Sequence, residues 1–315
     1  MPLLSIIIPC YNEHEAIPIV YHELKKVLAD MPCDHEIIFV NDGSSDKTQV
    51  VLAELAQSDE RVIYLKLSRN FGKEAAMYAG LSNFHGDYAV IMDADMQDPP
   101  SMLPEMFEAV SSGECDVAAT RRVDRHGEPP IRSFFARCFY RFVNRISDTE
   151  IVDGARDFRL MRREVADVVV SMKEHNRFSK GIFSWVGFRT KWLPYVNHER
   201  AAGETKWSFW RLFGYAIDGI INFSHVPLTI ASWFGLFMTF FAFIMELVVI
   251  VRKLLFGDPV AGWPSLVCVI LFVSGLQLFF LGIIGHYIAK LYLESKDRPH
   301  YIIDESNRDD VKKIG

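Results

Sequence analysis

The hydrophobic and polar positions divide this chain into two regions. Residues 1–225 mix short apolar runs with charged segments, whereas residues 226–292 are almost free of charge. In the first region, apolar runs alternate with stretches whose apolar residues recur at helical spacing. The runs predict buried strands at residues 4–9, 36–41, 62–67 and 88–92, and the stretches between them predict helices at 13–28, 47–57 and 72–84. This alternation predicts an α/β fold with a mainly parallel sheet and helices on both faces.

The second region predicts two transmembrane helices, at residues 226–251 and 264–289. At about 1.5 Å per residue, each run is long enough to cross a hydrocarbon core of roughly 30 Å. The alternative, a pair of buried core helices, would need a large partner that the sequence does not supply. We therefore divide the chain into a globular domain (1–225), a membrane part (226–292) and a tail (293–315), whose polar residues 301–315 predict a mobile end.

The distribution of basic residues predicts the orientation of these spans. The connecting segment carries only Arg252 and Lys253, whereas the outer flanks are richer in Lys and Arg: Arg189, Lys191, Arg200, Lys206, Arg211, Lys290, Lys296 and Arg298. Short loops with more Lys and Arg stay on the cytoplasmic side of a membrane. The globular domain and both termini are therefore predicted to be cytoplasmic.

Two further segments are predicted to lie in the membrane interface. Residues 130–146 alternate large apolar residues with four arginines, and residues 207–223 are rich in Trp and Phe. A basic amphipathic helix can lie at the lipid surface and meet lipid phosphates. Arg121 and Arg122 precede the first segment and are candidates for binding such a phosphate. The alternatives are a surface helix packed on the domain and a solvated arginine pair.

Charge and cysteine usage exclude several classes of function. The formal net charge of -6 argues against nucleic acid as the main partner. The five cysteines are scattered without a Cys-x-x-Cys pair, which disfavours a zinc site or a disulfide framework and favours a reducing compartment. Neither a dinucleotide-binding Gly-x-Gly-x-x-Gly after the first strand nor a P-loop sequence is present.

An acidic segment directly follows the fourth predicted strand. It places Asp93, Asp95 and Gln97 at alternate positions before two prolines. Carboxylate and amide oxygens are hard ligands that suit Mg²⁺ or Mn²⁺, and such a cation suits a diphosphate. The alternative is a polar turn with a proline stop. Since open α/β sheets bind ligands at the carboxyl ends of their strands, we expect a metal site at this edge.

Loops after the other predicted strands carry complementary chemistry. The loop at residues 9–13 offers an aromatic face and polar groups. Asp42 follows the second strand, where a carboxylate can accept a hydrogen bond from a base or a ribose. The loop at residues 68–74 combines Arg69 and Lys73 with a glycine at a helix start, which suits phosphate. Each loop alone could be a turn, a cap or solvated charge, but their joint placement predicts a nucleotide crevice.

Four segments carry a resemblance to a known family: SIIIPCYNE at 5–13, VNDGSSD at 40–46, SRNFGK at 68–73 and DADMQDPP at 93–100. They resemble inverting family-2 glycosyltransferases with the GT-A fold. More closely, they resemble polyprenyl-phosphate glycosyltransferases, which include phage-type bactoprenol glucosyltransferases, aminoarabinose-transferring relatives and dolichol-phosphate mannose synthases. The resemblance runs from about residue 3 to residue 295, and the two predicted spans favour the bactoprenol glucosyl branch.

The resemblance implies a reaction and a place for it. A hexose, glucose from UDP-glucose in the favoured branch, would be transferred to undecaprenyl phosphate at the cytoplasmic face of a bacterial inner membrane. The product would serve modification of lipopolysaccharide O-antigen or of another envelope glycan. Homo-oligomers are a further expectation from the resemblance. Lys73 or Arg69 would help to neutralise the charge that builds on the departing UDP.

The resemblance also implies roles for individual residues. The donor's uridine would be held by Pro9, Tyr11, Glu13 and Asp42, and the metal bridging its diphosphate by Asp93, Asp95 and Gln97. Asp95 and Asp157 are the catalytic candidates.

On the acceptor side, the resemblance places Asp157 near the reacting centre with Arg159 close by. Residues 200–207, which read RAAGETKW, resemble a motif that engages lipid phosphate near the membrane. Its candidate ligands are Arg200, Thr205 and Lys206. Thr205 stands where serine is frequent, and its hydroxyl preserves the chemistry.

Other functions stay open at this point. The donor could instead be UDP-aminoarabinose, UDP-galactose, a UDP-N-acetylhexosamine or GDP-mannose, because few residues read the sugar. A processive polysaccharide synthase would need more spans and a Gln-x-x-Arg-Trp-like sequence, which is absent. From a different class, a membrane scaffold or sugar-lipid translocator would have little use for the intact acidic segment.

Overall fold

The fold is known from a computed structural model, which describes residues 1–122, 152, 154–175, 177–195, 226–256 and 262–315. Its core is an eight-stranded mixed sheet with the strand order β7-β5-β6-β4-β1-β2-β3-β8. The strands are β1 (Leu3–Cys10), β2 (Asp34–Asn41), β3 (Val62–Leu67), β4 (Tyr88–Ile91), β5 (Val117–Arg122), β6 (Ala155–Arg162), β7 (Thr190–Tyr195) and β8 (Ile303–Ser306).

Helices cover both faces of the sheet, as predicted. They are α1 (Ala16–Ala29), α2 (Thr48–Ser58), α3 (Lys73–Leu81), α4 (Leu103–Ser111), α5 (Arg163–Ser171) and α6 (Ser179–Trp185), with a short 3-10 turn at Pro100–Met102. One core cluster joins a sheet face to α1, α2 and α4. The other joins the opposite face to α3, α5 and α6. The seven strands and helices predicted within residues 1–92 all form, with boundaries shifted by at most three residues.

The centre of the sheet is parallel, and its strands are buried on both faces by the helices that connect them. Seven of the eight residues of β1 are buried, and β1 pairs in parallel with both β2 and β4. The register sets Cys10 beside Asn41, so the loops that follow β1 and β2 start at the same edge. On the other side of β4, β6 runs antiparallel and sets Ile91 beside Arg159. The residues after β4 therefore lie beside the start of β6.

The prediction of a mobile end at residues 301–315 is wrong, because this segment packs on the sheet. Strand β8 pairs antiparallel with β3 and covers the edge that β3 would otherwise expose. Tyr301 is completely buried, and the Arg308 guanidinium donates to Glu36 at 3.1 Å. The polar composition misled the prediction because most side chains of an edge segment face water, and only Tyr301 and Ile303 enter the core.

Two long helices, α7 (Val226–Phe256) and α8 (Trp263–Ser295), form where membrane spans were predicted. Each contains a stretch long and apolar enough to cross a membrane, namely Leu228–Met245 and Phe272–Ser295. Most of the described side chains of these stretches are exposed. The interfacial segments predicted at 130–146 and 207–223 lie outside the described residues.

Candidate active site

The loops that follow β1 and β2 are tied together at the predicted edge. Asn12 adopts a left-handed backbone (φ 57°), and its side-chain oxygen accepts the Ser45 N–H at 2.9 Å. The Asn12 N–H in turn donates to the Ser44 hydroxyl at 2.9 Å. These bonds fix the loop that presents Tyr11, whose side chain is 46% exposed beside the partly buried Glu13. An aromatic face is thereby available at the edge where the sequence predicts a base.

Asp42 is buried beneath the loop at residues 68–74 and does not face open solvent. Its carboxylate is 3% exposed and accepts the N–H groups of Phe71 at 2.7 Å and Gly72 at 2.9 Å. Burial raises the pKa of this carboxyl, and the two N–H groups oppose the rise. The structure thus gives Asp42 a role in shaping the 68–74 loop, in addition to the nucleotide contact that the resemblance implies.

Gly43, in the turn that follows β2, lets the 68–74 loop pass close to that turn. Gly43 has φ 64°, and a Cβ at that position would lie 2.4 Å from the Arg69 carbonyl carbon and 2.6 Å from the Asn70 nitrogen. Any side chain would displace the loop. The exposed Arg69 guanidinium stacks on the Phe71 ring at 4.0 Å from its centroid. The glycine therefore sets the position of a cation at the edge of the sheet.

Lys73 joins the two sides of the site. Its ammonium lies 2.7 Å from Asp93 Oδ1 and 2.6 Å from Asp157 Oδ2. The first carboxylate follows β4 and the second belongs to β6, which the antiparallel register brings side by side. Lys73 itself begins α3, so this helix start holds both carboxylates at one point of the sheet edge.

The charges of this group set its protonation. Partial desolvation lowers the pKa of the Lys73 side chain, but the charges of Asp93 and Asp157 outweigh it and raise that pKa well above its ordinary value. Burial likewise raises the pKa of Asp157, but the Lys73 charge outweighs it and holds the pKa well below its usual range. At neutral pH Asp157 is therefore an ionised, weakly basic carboxylate next to a protonated lysine.

The acidic loop after β4 is held by its own backbone and by an arginine. Met96 adopts φ 61°, a conformation that is uncommon for a residue with a side chain, and the Gln97 N–H donates to Asp95 Oδ1 at 3.1 Å. The Arg156 guanidinium donates to Gln97 Oε1 at 3.3 Å. These contacts fix the side chains of Asp95 and Gln97 within the loop that follows β4.

The oxygens of this loop fit a hard divalent cation by their chemistry. Asp93 and Asp95 supply carboxylates and Gln97 an amide oxygen, the ligand types that Mg²⁺ and Mn²⁺ prefer. In the described part of the chain no three His, Cys, Asp or Glu side chains gather as a metal cluster. Two of the candidate oxygens instead contact the cations Lys73 and Arg156. A metal would therefore have to share or replace these contacts.

Asp98 supports the acidic loop from below. It is 2% exposed and accepts the Asp93 N–H at 3.2 Å and the Tyr195 hydroxyl at 3.4 Å. Burial and the nearby Asp93 charge raise the pKa of Asp98 to about 7. The sequence placed this residue in the motif but gave it no role, and the structure shows that it anchors the backbone of Asp93.

Glu74 is a second residue that sequence reasoning missed. Its half-buried carboxylate accepts both the N–H and the hydroxyl of Ser179, which begins α6. Burial and the Asp157 charge raise the pKa of Glu74. Its position directly after Lys73 was the available signal, but Ser179 is 105 residues away. The contact ties the donor-side helix α3 to α6 on the other side of Asp157.

The predicted acceptor-side residues are only partly described. Arg159 is 3% exposed and stacks on Phe183 at 3.9 Å from the ring centroid. Arg121 is exposed on β5 opposite Ala155 of β6. The side chain of Arg122 and the whole of Arg200, Thr205 and Lys206 lie outside the described residues. Pro9 is buried within β1 and takes part in the edge through its backbone position.

Comparison with known proteins identifies the family. Residues 5–170 match the model of glycosyl transferase family 2. The SfII prophage-derived bactoprenol glucosyl transferase of Shigella flexneri is 41% identical over 97% of this chain and 98% of its own. The prophage bactoprenol glucosyl transferase homolog of Escherichia coli K12 is 41% identical over 95% of this chain and 98% of its own.

A solved structure gives a more distant likeness. Mannosyl-3-phosphoglycerate synthase from Rubrobacter xylanophilus matches 70% of this chain and 72% of its own, with 16% identity and a TM-score of 0.48. A likeness at that level identifies no ligand.

Proposed function

The chain belongs to glycosyl transferase family 2, and on that premise we propose that it transfers a hexose from a nucleotide donor to a polyprenyl phosphate at a membrane surface. The observation that carries this proposal is similarity along the whole length to bactoprenol glucosyl transferases, which includes both long apolar helices. A site for such a transfer is supplied by Lys73, whose ammonium pairs with the carboxylates of both Asp93 and Asp157.

The proposed donor is UDP-glucose. Tyr11 presents an exposed ring at the edge for the base, and Glu13 and Asp42, in the adjacent loops after β1 and β2, are the proposed partners of the base and ribose. Arg69 and Lys73 place two cations for the diphosphate. UDP-aminoarabinose, UDP-galactose, UDP-N-acetylhexosamine and GDP-mannose remain alternative donors for the same scaffold.

A divalent cation, Mg²⁺ or Mn²⁺, held by Asp93, Asp95 and Gln97 would supply charge neutralisation to the departing diphosphate. The residues of this chain act alongside it. Lys73 places a fixed positive charge between the donor side and the acceptor side, and Asp98 keeps the backbone of Asp93 in position. The site thus stabilises a nucleotide leaving group without a proton transfer to it.

The acceptor needs little activation. A phosphate monoester is already anionic at neutral pH, since its second pKa is near 6. Its oxygen can attack the anomeric carbon as the bond to UDP breaks, and a single in-line displacement inverts that centre. Asp157 is too weak a base to take a proton efficiently, because Lys73 holds its pKa low. The proposed role of Asp157 is to orient the acceptor and the Lys73 side chain.

The membrane supplies the acceptor. The helices α7 and α8 would anchor the chain in a bacterial inner membrane, with the sheet domain and both termini in the cytoplasm. Two spans are few for a translocator, and the ordered acidic loop would be unnecessary in a scaffold.

A donor panel tests the proposed function. The purified full chain in detergent is incubated with undecaprenyl phosphate, Mg²⁺ or Mn²⁺ and each candidate nucleotide sugar, and the lipid fraction is analysed by mass spectrometry. We expect undecaprenyl phosphate to gain one hexose from UDP-glucose. A gain from another donor corrects the sugar only. No glycolipid from any donor would contradict the reaction and favour the scaffold.

A further inference from the structure

A cavity of about 150 Å³ lies under α6, on the sheet face that also carries Asp157. We call it the α6 cavity. It is bounded by β5, β6, β7 and α6, and its lining combines two cations and two hydroxyls with an apolar wall: Arg159, Lys180, Ser184 and Thr190, with Val117, Val152, Ala155, Phe183, Phe188 and Trp192. At about 30 Å³ per water, its volume equals roughly five waters. It suits a small headgroup, not a long chain.

The cations of the α6 cavity have unmet bonding capacity. Arg159 is only 3% exposed, and its buried Nε has no hydrogen-bond partner. No hydrogen bond or ion pair joins the Lys180 ammonium to another residue in the part of the chain described. Burial lowers the pKa of Lys180, and the Asp157 charge opposes this. An anion in the cavity would satisfy both groups, since a buried unpaired donor costs free energy.

Two cations that line the α6 cavity, Lys180 and Arg159, lie close enough to Asp157 for their charges to lower its pKa. Asp157 contacts Lys73 at the start of α3 and Arg159 stacks on Phe183 of α6, and both helices pack on the same face of the sheet. The loops assigned to the donor follow β1, β2 and β4, whereas the cavity lies over β5, β6 and β7. A group in the cavity would therefore approach Asp157 from the acceptor side.

The apolar wall distinguishes among the groups that could accompany an anion in the cavity. A free sugar or a ribose would leave hydroxyls unpaired against Phe183, Phe188 and Trp192, whereas an isoprene unit would not. Resting on the proposed function, we propose that the α6 cavity receives the phosphate and first isoprene unit of the acceptor, with Lys180 joining Arg159 as a phosphate ligand. Lys180 is then a determinant of acceptor binding, which the sequence gave no reason to select.

The variant that tests this is Lys180→Gln, which removes the charge and keeps most of the side-chain length. Initial rates are measured on the full chain at saturating donor, with a short soluble isoprenyl phosphate as acceptor. The KM for the acceptor should rise about tenfold, because a hydrogen bond to a charged group is lost. The KM for the donor should stay within about twofold, and Lys180→Arg should recover most of the acceptor affinity.

A matched control and a second variant separate charge from fold. Lys173→Gln removes an exposed lysine that does not line the cavity and should leave both KM values unchanged. Ser184→Leu narrows the cavity without touching a charge, and it should raise the KM for the isoprenyl phosphate. Inorganic phosphate, added as a competitor, should inhibit wild type more than Lys180→Gln but far less strongly than a straight-chain alkyl phosphate. This difference separates recognition of free phosphate from recognition of a lipid headgroup.

The outcomes separate this inference from the proposed function. If wild type forms glycolipid and Lys180→Gln has an unchanged acceptor KM, the role of Lys180 is wrong and the reaction stands. An equal rise in donor and acceptor KM would also overturn it, since that marks a general disturbance. If wild type transfers no sugar to any isoprenyl phosphate, the proposed function fails and this inference fails with it.

Discussion

The ammonium of Lys73 lies 2.6 Å from Asp157 Oδ2, although the two residues are 84 positions apart. The same ammonium contacts Asp93 at 2.7 Å. One lysine at the start of α3 thus links the loop assigned to the nucleotide with the strand assigned to the acceptor. Glu74, the next residue, extends this link to α6 through Ser179.

Replacing Lys73 should affect turnover more than folding. Lys73→Gln removes the charge placed between leaving group and acceptor, and we expect kcat to fall by about a hundredfold or more, as for loss of one preorganised charge-stabilising group. Initial rates of UDP release measure this, with Lys173→Gln as the control for an exposed lysine. Thermal unfolding should stay close to wild type. A kcat within about threefold of wild type would remove Lys73 from the mechanism.

Lys73→Gln should also change the pH dependence of kcat. A carboxyl whose folded pKa lies below its unfolded value of about 3.9 adds stability above that pH and loses it as the pH falls through the folded pKa. Asp157 is such a group in wild type, so it stays ionised throughout the working range. In Lys73→Gln, burial is no longer opposed by the lysine charge, and the pKa of Asp157 should rise.

Profiles of residual kcat against pH, from about pH 5 to pH 9, measure this change. The acceptor phosphate, with a second pKa near 6, titrates in both proteins, so the difference between the profiles isolates the carboxyl. We expect the kcat of the variant to begin its fall toward acid pH at a higher pH than the kcat of wild type. Superimposable profiles would show that Lys73 does not control Asp157.

Gly43→Ala should displace the loop that carries Arg69. The new Cβ would meet backbone atoms of Arg69 and Asn70 within 3 Å, at a φ that disfavours any side chain. We expect a loss of stability of about 1–3 kcal/mol and a higher KM for the donor. Gly235→Ala, at a position with open space, is the matched control and should change neither. Equal behaviour of the two variants would show that the close approach is unimportant.

Tyr301→Ala should destabilise the sheet domain although the residue follows both long helices. The ring is fully buried, lies 5.9 Å from the Tyr78 ring centroid, and its hydroxyl accepts from Asn83 at 3.3 Å. Loss of a buried aromatic ring costs about 3–5 kcal/mol, whereas Tyr301→Phe, which loses only the hydroxyl bond, should cost about 1 kcal/mol. Thermal unfolding of both variants in detergent measures this. No loss in either would restore the mobile end predicted from the sequence.

The first half of the fold could be predicted because its strands are buried on both faces. Ile6, Ile7 and Ile8 are all completely buried, so β1 reads as an unbroken apolar run. Strand β6 gave no such signal, because Arg156, Asp157 and Arg159 place charges on the strand for the site itself. Strand β8 was hidden for a different reason: its Asp304 and Glu305 face water and pair with Lys66.

Contacts at the candidate site could be predicted where residues follow successive strands, and were missed where distant elements meet. Asp93 and Lys73 could be placed at one edge because parallel strands end together. Their contact with Asp157 depends on the antiparallel pairing of β4 and β6, which no local pattern reveals. Lys180 is the second residue of a seven-residue helix, and only its position over the sheet marks it.

Release of UDP from UDP-glucose by the purified full chain tests the central claim most directly. It is measured with and without Mn²⁺ and with and without undecaprenyl phosphate, for wild type and for Asp95→Asn. The account predicts rapid release only from wild type with both additions, and an Asp95→Asn protein that unfolds near the wild-type temperature but releases almost none. Equal release by wild type in the presence of a chelator, or near-normal release by Asp95→Asn, would contradict it.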